Sequence, residues 1–324
     1  MNIKFQCYYD QNRFLPLHKK ITGRTNYKHS GPEIVRKTAC FLSEKFNVFV
    51  DSSDGVNEDL PVNEYCGRMT KIVKSFNKPF LYFKCNSSIN KSADIKNMAA
   101  SHGGKLLPFF MWNLHSQNPK FYTEIIPNQK LWIEKNKKTK KQIDILYAAV
   151  SKLYEYPKPC ITDNKIPWSD FKNFGVGHPQ DTGWFHMNTR DEIYDRLSKT
   201  NNYTIERFQK KLEYIEYMKS SLRFKLQFCP PGVGEYTCRI FNSAAIGQTV
   251  LLRKSTYDFY DSWKNYFPEV DLKNQDFESK IVKIIDNYED WNEKALEYFE
   301  TSLSEERLIE VFEKEIVKFY EELK

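Results

Sequence analysis

The stretch from Leu226 to Leu252, LQFCPPGVGEYTCRIFNSAAIGQTVLL, constrains the fold more than any other part of the chain. It reads as a short apolar strand, a Pro/Gly loop, a helix of roughly three turns and a second apolar strand. Pro230 and Pro231 end the first strand, because proline cannot donate to a ladder. The loop continues Gly232-Val233-Gly234-Glu235, where the two glycines leave backbone with no Cβ to block a ligand. Tyr236 and Thr237 fall where the helix begins, so free N–H groups and the positive dipole end point into the loop. Arg239 lies in the first turn, where a planar guanidinium can grip two phosphate oxygens. Gly247 closes the helix before the next strand. A strand, turn and helix of this kind belong to a parallel α/β sheet and present an anion site at the turn.

The order Cys229-Pro230-x-Gly232-x-Gly234-x-x-Thr237-x-Arg239, followed by a helix, Gly247 and an apolar strand, resembles the donor-sugar motif of GT-B glycosyltransferases. The likeness is to the exostosin-type and protein O-glucosyltransferase-type families, whose pattern runs Cys-Pro-x-Gly, Ser-x-Arg, then a small residue and a strand. It is close from the Tyr214–Ser221 helix end to Trp263, looser over the rest of the C-terminal half, and absent from the N-terminal half except as alternating elements. It implies two Rossmann-like domains facing each other across a cleft, with a C-terminal helix crossing back to the first. It also implies transfer of a sugar from a nucleotide-diphosphate sugar, UDP- or GDP-linked, to a glycan or glycoconjugate hydroxyl. Pro231 to Thr237 and Arg239 would hold the diphosphate. Where many relatives carry a ribose-binding glutamate, this chain has Asn242, which can bond a hydroxyl without the charge. The plainer reading is a structural turn, since glycine-rich strand-to-helix turns occur in α/β proteins that bind no phosphate there. The joint order of Pro, two Gly, Thr, Arg and a terminating Gly is more demanding than a lone G-x-G. The loop is neither a Walker loop nor a dinucleotide fingerprint.

At 324 residues the chain has room for two domains. We expect residues 1–138 to form an acceptor domain, 139–305 a donor domain, and 306–324 a helix that packs back on the first. The boundary is placed at the basic run Asn136–Lys141, ahead of the apolar Ile143–Val150. The first half alternates strand and helix: strand Ile3–Tyr9, helix Gly31–Phe46, strand Asn47–Val50, helix Asn63–Phe76, strand Pro79–Lys84, helix Ala93–Ser101, strand Leu106–Met111 and a short strand Leu131–Glu134. In the second half, helices are expected over Thr189–Lys199, Thr204–Ser220 and Ser255–Tyr266, with two or three amphipathic helices from Phe277 onward.

The net charge of +7 is unevenly spread. From Asp276 to Lys324 there are 15 acidic and 7 basic residues, leaving 42 basic and 27 acidic before them. A basic body suits an anionic sugar nucleotide. It also suits the alternative reading, a basic nucleic-acid or anionic-surface binding protein with a degenerate glycosyltransferase fold, although the lysines are not interleaved with aromatics on one helix. Seven scattered cysteines without a C-x-x-C pair read as reduced thiols, and no apolar run reaches the ~20 residues of a membrane span, so a cytoplasmic protein is expected.

Beyond Arg239, Lys254 follows the strand after the motif and Lys152 follows the first strand of the second half, positions where α/β sheets gather ligands. Lys254 reads equally, and Lys152 more readily, as a solvated loop lysine. An inverting transfer needs a base. Asp51 and Asp54 after the Asn47–Val50 strand are the candidates, with Asp10 third, although aspartates after strands more often shape turns. His29 is a weak candidate at the acceptor, and none of the six histidines forms a metal-binding pair. With no Asp-x-Asp motif, no metal and no cofactor beyond the nucleotide sugar are expected.

Overall fold

The structure, a computed structural model, describes residues 3–9, 14–23, 38–51, 77–84, 87–88, 96–97, 99–109, 118–149, 193–208, 212–230, 238–254, 257–258 and 265–324. In chain order the strands and helices are β1 (Gln6–Tyr8), α1 (Leu15–Thr22), β2 (Thr38–Leu42), β3 (Asn47–Asp51), β4 (Phe80–Lys84), β5 (Ser87–Ser88), β6 (Gly104–Pro108), α2 (Gln129–Lys138), β7 (Ile143–Tyr147), β8 (Ile205–Glu206), α3 (Tyr214–Ser221), β9 (Phe224–Phe228), α4 (Cys238–Ala245), β10 (Val250–Arg253), β11 (Tyr257–Asp258), β12 (Glu269–Val270), α5 (Phe277–Asp286), α6 (Tyr288–Tyr298) and α7 (Glu305–Glu322). The chain is an α/β protein of two compact units. Unit 1 holds residues 1–115, 256–261 and 303–324; unit 2 holds 116–255 and 262–302.

Unit 1 is built on a five-stranded sheet of order β1-β2-β3-β4-β6. β3, β4 and β6 are parallel, while β2 runs antiparallel to both β1 and β3. β2, β3 and β4 are buried almost throughout, which explains their continuous apolar runs. One face is covered by α7, whose Phe312 ring lies 4.8 Å from Phe83 and 6.0 Å from Phe41. Ion pairs Lys20–Glu313 at 2.9 Å and Lys105–Glu322 at 3.5 Å pin the same acidic helix to basic positions of this unit. Gly104 is required by packing, because a Cβ there would fall inside the Phe80 ring of the neighbouring strand.

Unit 2 carries an all-parallel sheet of order β12-β10-β9-β7-β8. Counted along the chain this is strand order 2-1-3-4-5, that of a doubly wound sheet whose winding reverses between β7 and β9. One face packs Ile145, Tyr147, Leu226, Phe228 and Leu251 against Phe277, Ile281 and Ile285 of α5. On the other face Gln227 meets Tyr217 of α3, so helices cover both sides.

Several expected elements differ. Thr38–Leu42, expected at the end of a helix, is a strand: its Thr-Ala-Cys-Phe-Leu run is buried between two neighbours, and periodicity cannot tell such a run from a buried helix. Leu131–Glu134, expected as a strand, lies inside α2. Thr204 begins no helix, because Ile205–Glu206 pairs with β7 and the Thr204 amide donates to Asp144. Tyr257–Asp258 pairs with Ser87–Ser88 rather than starting a helix. The expected domain boundary after residue 138 falls inside unit 2, because α2 is tied to the end of α4: Gln129 donates to the Ala245 carbonyl at 2.9 Å and Asn136 to that of Gly247 at 2.7 Å. The expected helix Asn63–Phe76 lies outside the described residues.

Candidate functional site

Open α/β sheets bind ligands beyond the carboxyl ends of their strands, at the point where the strand order reverses. In unit 2 that point lies between β7 and β9. The Ala148 amide donates to the Phe228 carbonyl at 2.8 Å, extending the pairing one residue past β7. The buried Cys229 and Pro230 carry the chain off the end of β9. α4 then begins at Cys238, and Arg239 in its first turn donates from Nη1 to the Ala148 carbonyl oxygen. The guanidinium therefore stands over the end of β7, across the reversal point from the strand that leads into its own helix.

Two tyrosines of α3 complete the surroundings. The Tyr217 hydroxyl donates to Gln227 Oε1 at 2.7 Å, and Gln227 Nε2 donates to Gln248 Oε1 at 2.5 Å. Gln248 Nε2 in turn donates to the Ser221 carbonyl at 2.7 Å. This buried chain joins α3, β9 and the turn after α4, and so fixes the helix that bears Arg239 against the strand before it. Burial pushes the Tyr217 phenol well above its ordinary range; the neighbouring Cys229 and Cys238 thiols push the same way, and Arg239 opposes them. Burial also raises the Tyr214 phenol, with Cys238, Tyr217 and Tyr122 adding to the shift. The Tyr214 hydroxyl is buried without a hydrogen-bond partner. Tyr214 and Tyr217 were missed in the sequence. The only sign of them is a Tyr-x-x-Tyr spacing that places both on one helix face.

Asn242 lies one turn beyond Arg239 on the same side of α4 and is buried, with 4 % exposure. Beside it Ser243 Oγ is buried without a partner. α4 ends at Gly247 in the left-handed region, φ 68°, as its sequence position requires. Lys254 is not brought to Arg239. It stands exposed after β10, with Nζ 3.6 Å from Asp271 Oδ2 beyond β12, on the side of β10 away from β9. The Lys273 amide, together with Lys254, holds the Asp271 carboxyl below its usual range despite the opposing effect of desolvation. Pro231, Gly232, Val233, Gly234, Glu235, Tyr236, Thr237, Lys152, Asp54, Asp10 and His29 lie outside the described residues.

Asp51 belongs to unit 1. It ends β3, is 2 % exposed, accepts a 2.9 Å hydrogen bond from the Tyr82 hydroxyl and faces Lys84 Nζ at 3.7 Å. Lys84, which ends β4, is itself buried. The sequence marked Lys84 only as the end of a strand; the register Asp51↔Lys84 is what makes the pair. His18 is also buried and lies 2.7 Å from the Tyr9 hydroxyl. Among the described residues no group of three His, Cys, Asp or Glu side chains is placed to hold a metal ion, and no helix is long and apolar enough to cross a membrane.

Compared with models of known protein families and with curated protein sequences, the chain matches none.

Proposed function

We propose that the chain is a GT-B glycosyltransferase that moves a sugar from a nucleotide diphosphate to a hydroxyl of a glycan or glycoconjugate. The observation that carries this reading is Arg239. A permanent cation in the first turn of a helix, over the carboxyl end of β7 at the reversal point of a doubly wound sheet, is suited to a diphosphate. The motif Cys229-Pro230-x-Gly232-x-Gly234 leads into the same helix and supports it. In this reading Arg239 and the start of α4 neutralise charge as the diphosphate leaves, the interaction that most lowers such a barrier. Asn242 takes a ribose hydroxyl, and Asp51 of unit 1 takes the proton of the attacking acceptor. The reading requires a nucleotide sugar and a glycan or glycoconjugate acceptor, and it calls on no metal.

A thermal-shift panel of UDP, GDP, CMP and their common sugar conjugates, with and without EDTA, tests this. A bound ligand raises the melting point with occupancy. The expected result is that one nucleotide diphosphate stabilises the protein equally in both conditions. No response to any member would overturn the reading.

A further inference from the structure

The basic run Asn136–Lys141, expected to separate two domains, instead closes α2 inside unit 2. It stands at the amino edge of the sheet, where Lys141 Nζ donates to the Leu222 carbonyl just ahead of β9. One face of α2 is committed to the fold. Trp132 and Asn136 are buried, and Gln129 and Asn136 donate to the Ala245 and Gly247 carbonyls at the end of α4. With about 3.6 residues per turn, Lys130, Leu131, Glu134, Lys135 and Lys138 then lie on the outward face. All of them are exposed, as are Lys137 and Lys140 beside them.

This face is strongly basic. Residues 129–141 hold six lysines and one acid, Glu134. Lys141 is turned inward onto Asn136 and Leu222, which leaves five lysines at the surface. Glu134 offsets one of them, Lys138, at 3.2 Å. Lys135 carries its ammonium 5.4 Å over the Trp132 ring. The segment has no arginine. Lysines are compact hydrated charges on flexible stems, suited to a diffuse layer of phosphates rather than to paired recognition of one group.

Leu131 stands among these charges, one turn from Lys135 and two from Lys138. It is 48 % exposed, and only one other large apolar side chain among the described residues, Leu323, is left exposed at all. An apolar side chain ringed by ammonium groups matches a surface whose phosphates lie above a hydrocarbon layer. Nucleic acid offers the phosphates without that layer. Its bases are gripped by exposed aromatic rings and arginines, whereas the one aromatic ring of α2, Trp132, is buried.

We propose that the outward face of α2 docks the chain on an anionic phospholipid bilayer. Lys130, Lys135, Lys137 and Lys138 meet the headgroup phosphates, and Leu131 enters the boundary beneath them. The inference goes beyond the transfer reading and does not depend on it. Docking at the amino edge of the sheet leaves the carboxyl edge, where Arg239 stands, uncovered.

Co-sedimentation of the full chain with vesicles tests this, comparing phosphatidylcholine alone with an equal mixture of phosphatidylcholine and phosphatidylglycerol. The wild type is expected to bind the mixed vesicles, to ignore the neutral ones, and to release as salt rises. Lys130→Gln combined with Lys138→Gln should weaken binding about 30-fold, at roughly fivefold for each lysine near an anionic leaflet. Leu131→Ser should weaken it about fivefold, because roughly half of a leucine's burial remains to be gained. Both variants should melt as the wild type does, since none of these side chains belongs to the buried stripe. Absence of binding to the mixed vesicles overturns the proposal. So does binding that the lysine variant leaves unchanged, which would place the contact on another surface. Binding to a single-stranded oligonucleotide that the lysine variant weakens and Leu131→Ser does not, with no vesicle binding, would make the face a nucleic-acid surface instead.

Discussion

The carboxyl edges of the two sheets solve the problem of buried polarity differently. In unit 1 an ammonium and a carboxylate face one another across adjacent strands, both nearly sealed from water. In unit 2 Arg239 reaches a carbonyl oxygen at this edge, and a neutral chain of a phenol and two carboxamides runs from Gln227 back to the Ser221 carbonyl ahead of β9. The first arrangement cancels its charge internally. The second keeps a cation at the place where a doubly wound sheet meets its ligand.

Breaking the ion pair gives the largest expected effect. Lys84→Met removes the ammonium that faces the buried Asp51 carboxylate at 3.7 Å and should destabilise the protein by about 3–5 kcal/mol. The double change with Asp51→Asn should recover a large part of that, so a double-mutant cycle by urea unfolding shows a strong coupling. Weak coupling would mean that the pair is not a unit and that the contrast between the edges is overstated.

The neutral chain should be less sensitive. Gln248→Leu removes the acceptor of Gln227 Nε2 and the donor to the Ser221 carbonyl, and a loss of about 2–3 kcal/mol is expected in the same assay. A loss equal to that of Lys84→Met would erase the distinction.

Legibility in the sequence follows the same divide. The strand Phe224–Phe228, the helix Cys238–Ala245 and the strand Val250–Arg253 were readable because their signals are local: prolines after the first strand, a glycine that closes the helix, and an apolar run on either side. α5, α6 and α7 were readable from helical spacing alone. The polar row of unit 1 was not. Asp51 could be singled out by its place after a strand, but Thr38 sat in an apolar run that suits helix and strand equally, and Lys84 had no local mark. Their meaning depends on register between strands, which no window of the sequence contains. The same holds for β11, whose partner β5 lies far earlier in the chain. Tyr217 likewise joins this region only through Gln227 and Gln248.

The smallest effect is expected at the opposite, amino edge of the second sheet. Lys141 donates to Asn136 Oδ1 at 2.6 Å and to the Leu222 carbonyl at 2.8 Å, and burial pushes its ammonium down from 10.5 to about 8. Between those values the unfolded chain binds more protons than the folded one, so stability should rise with pH across the window. Relative to Lys141→Met, the wild type should gain about 1 kcal/mol from pH 8 to pH 10.5, after allowance for screening by water. A flat difference would show that the lysine holds its proton, and that a cation on carbonyl and amide oxygens in this unit is as stable as one in an ion pair.

The central claim is that Arg239 marks an anion site. Isothermal titration of UDP and GDP into the wild type and Arg239→Ala, with melting curves of both proteins, tests it most directly. We expect one nucleotide to bind the wild type and to bind the variant about 30- to 300-fold more weakly, as for the loss of one charge-assisted contact at a buried phosphate, with little change in melting temperature. Equal affinity in the two proteins, or a variant that melts far lower while binding as tightly, would contradict the account and make Arg239 a structural tie to the end of β7.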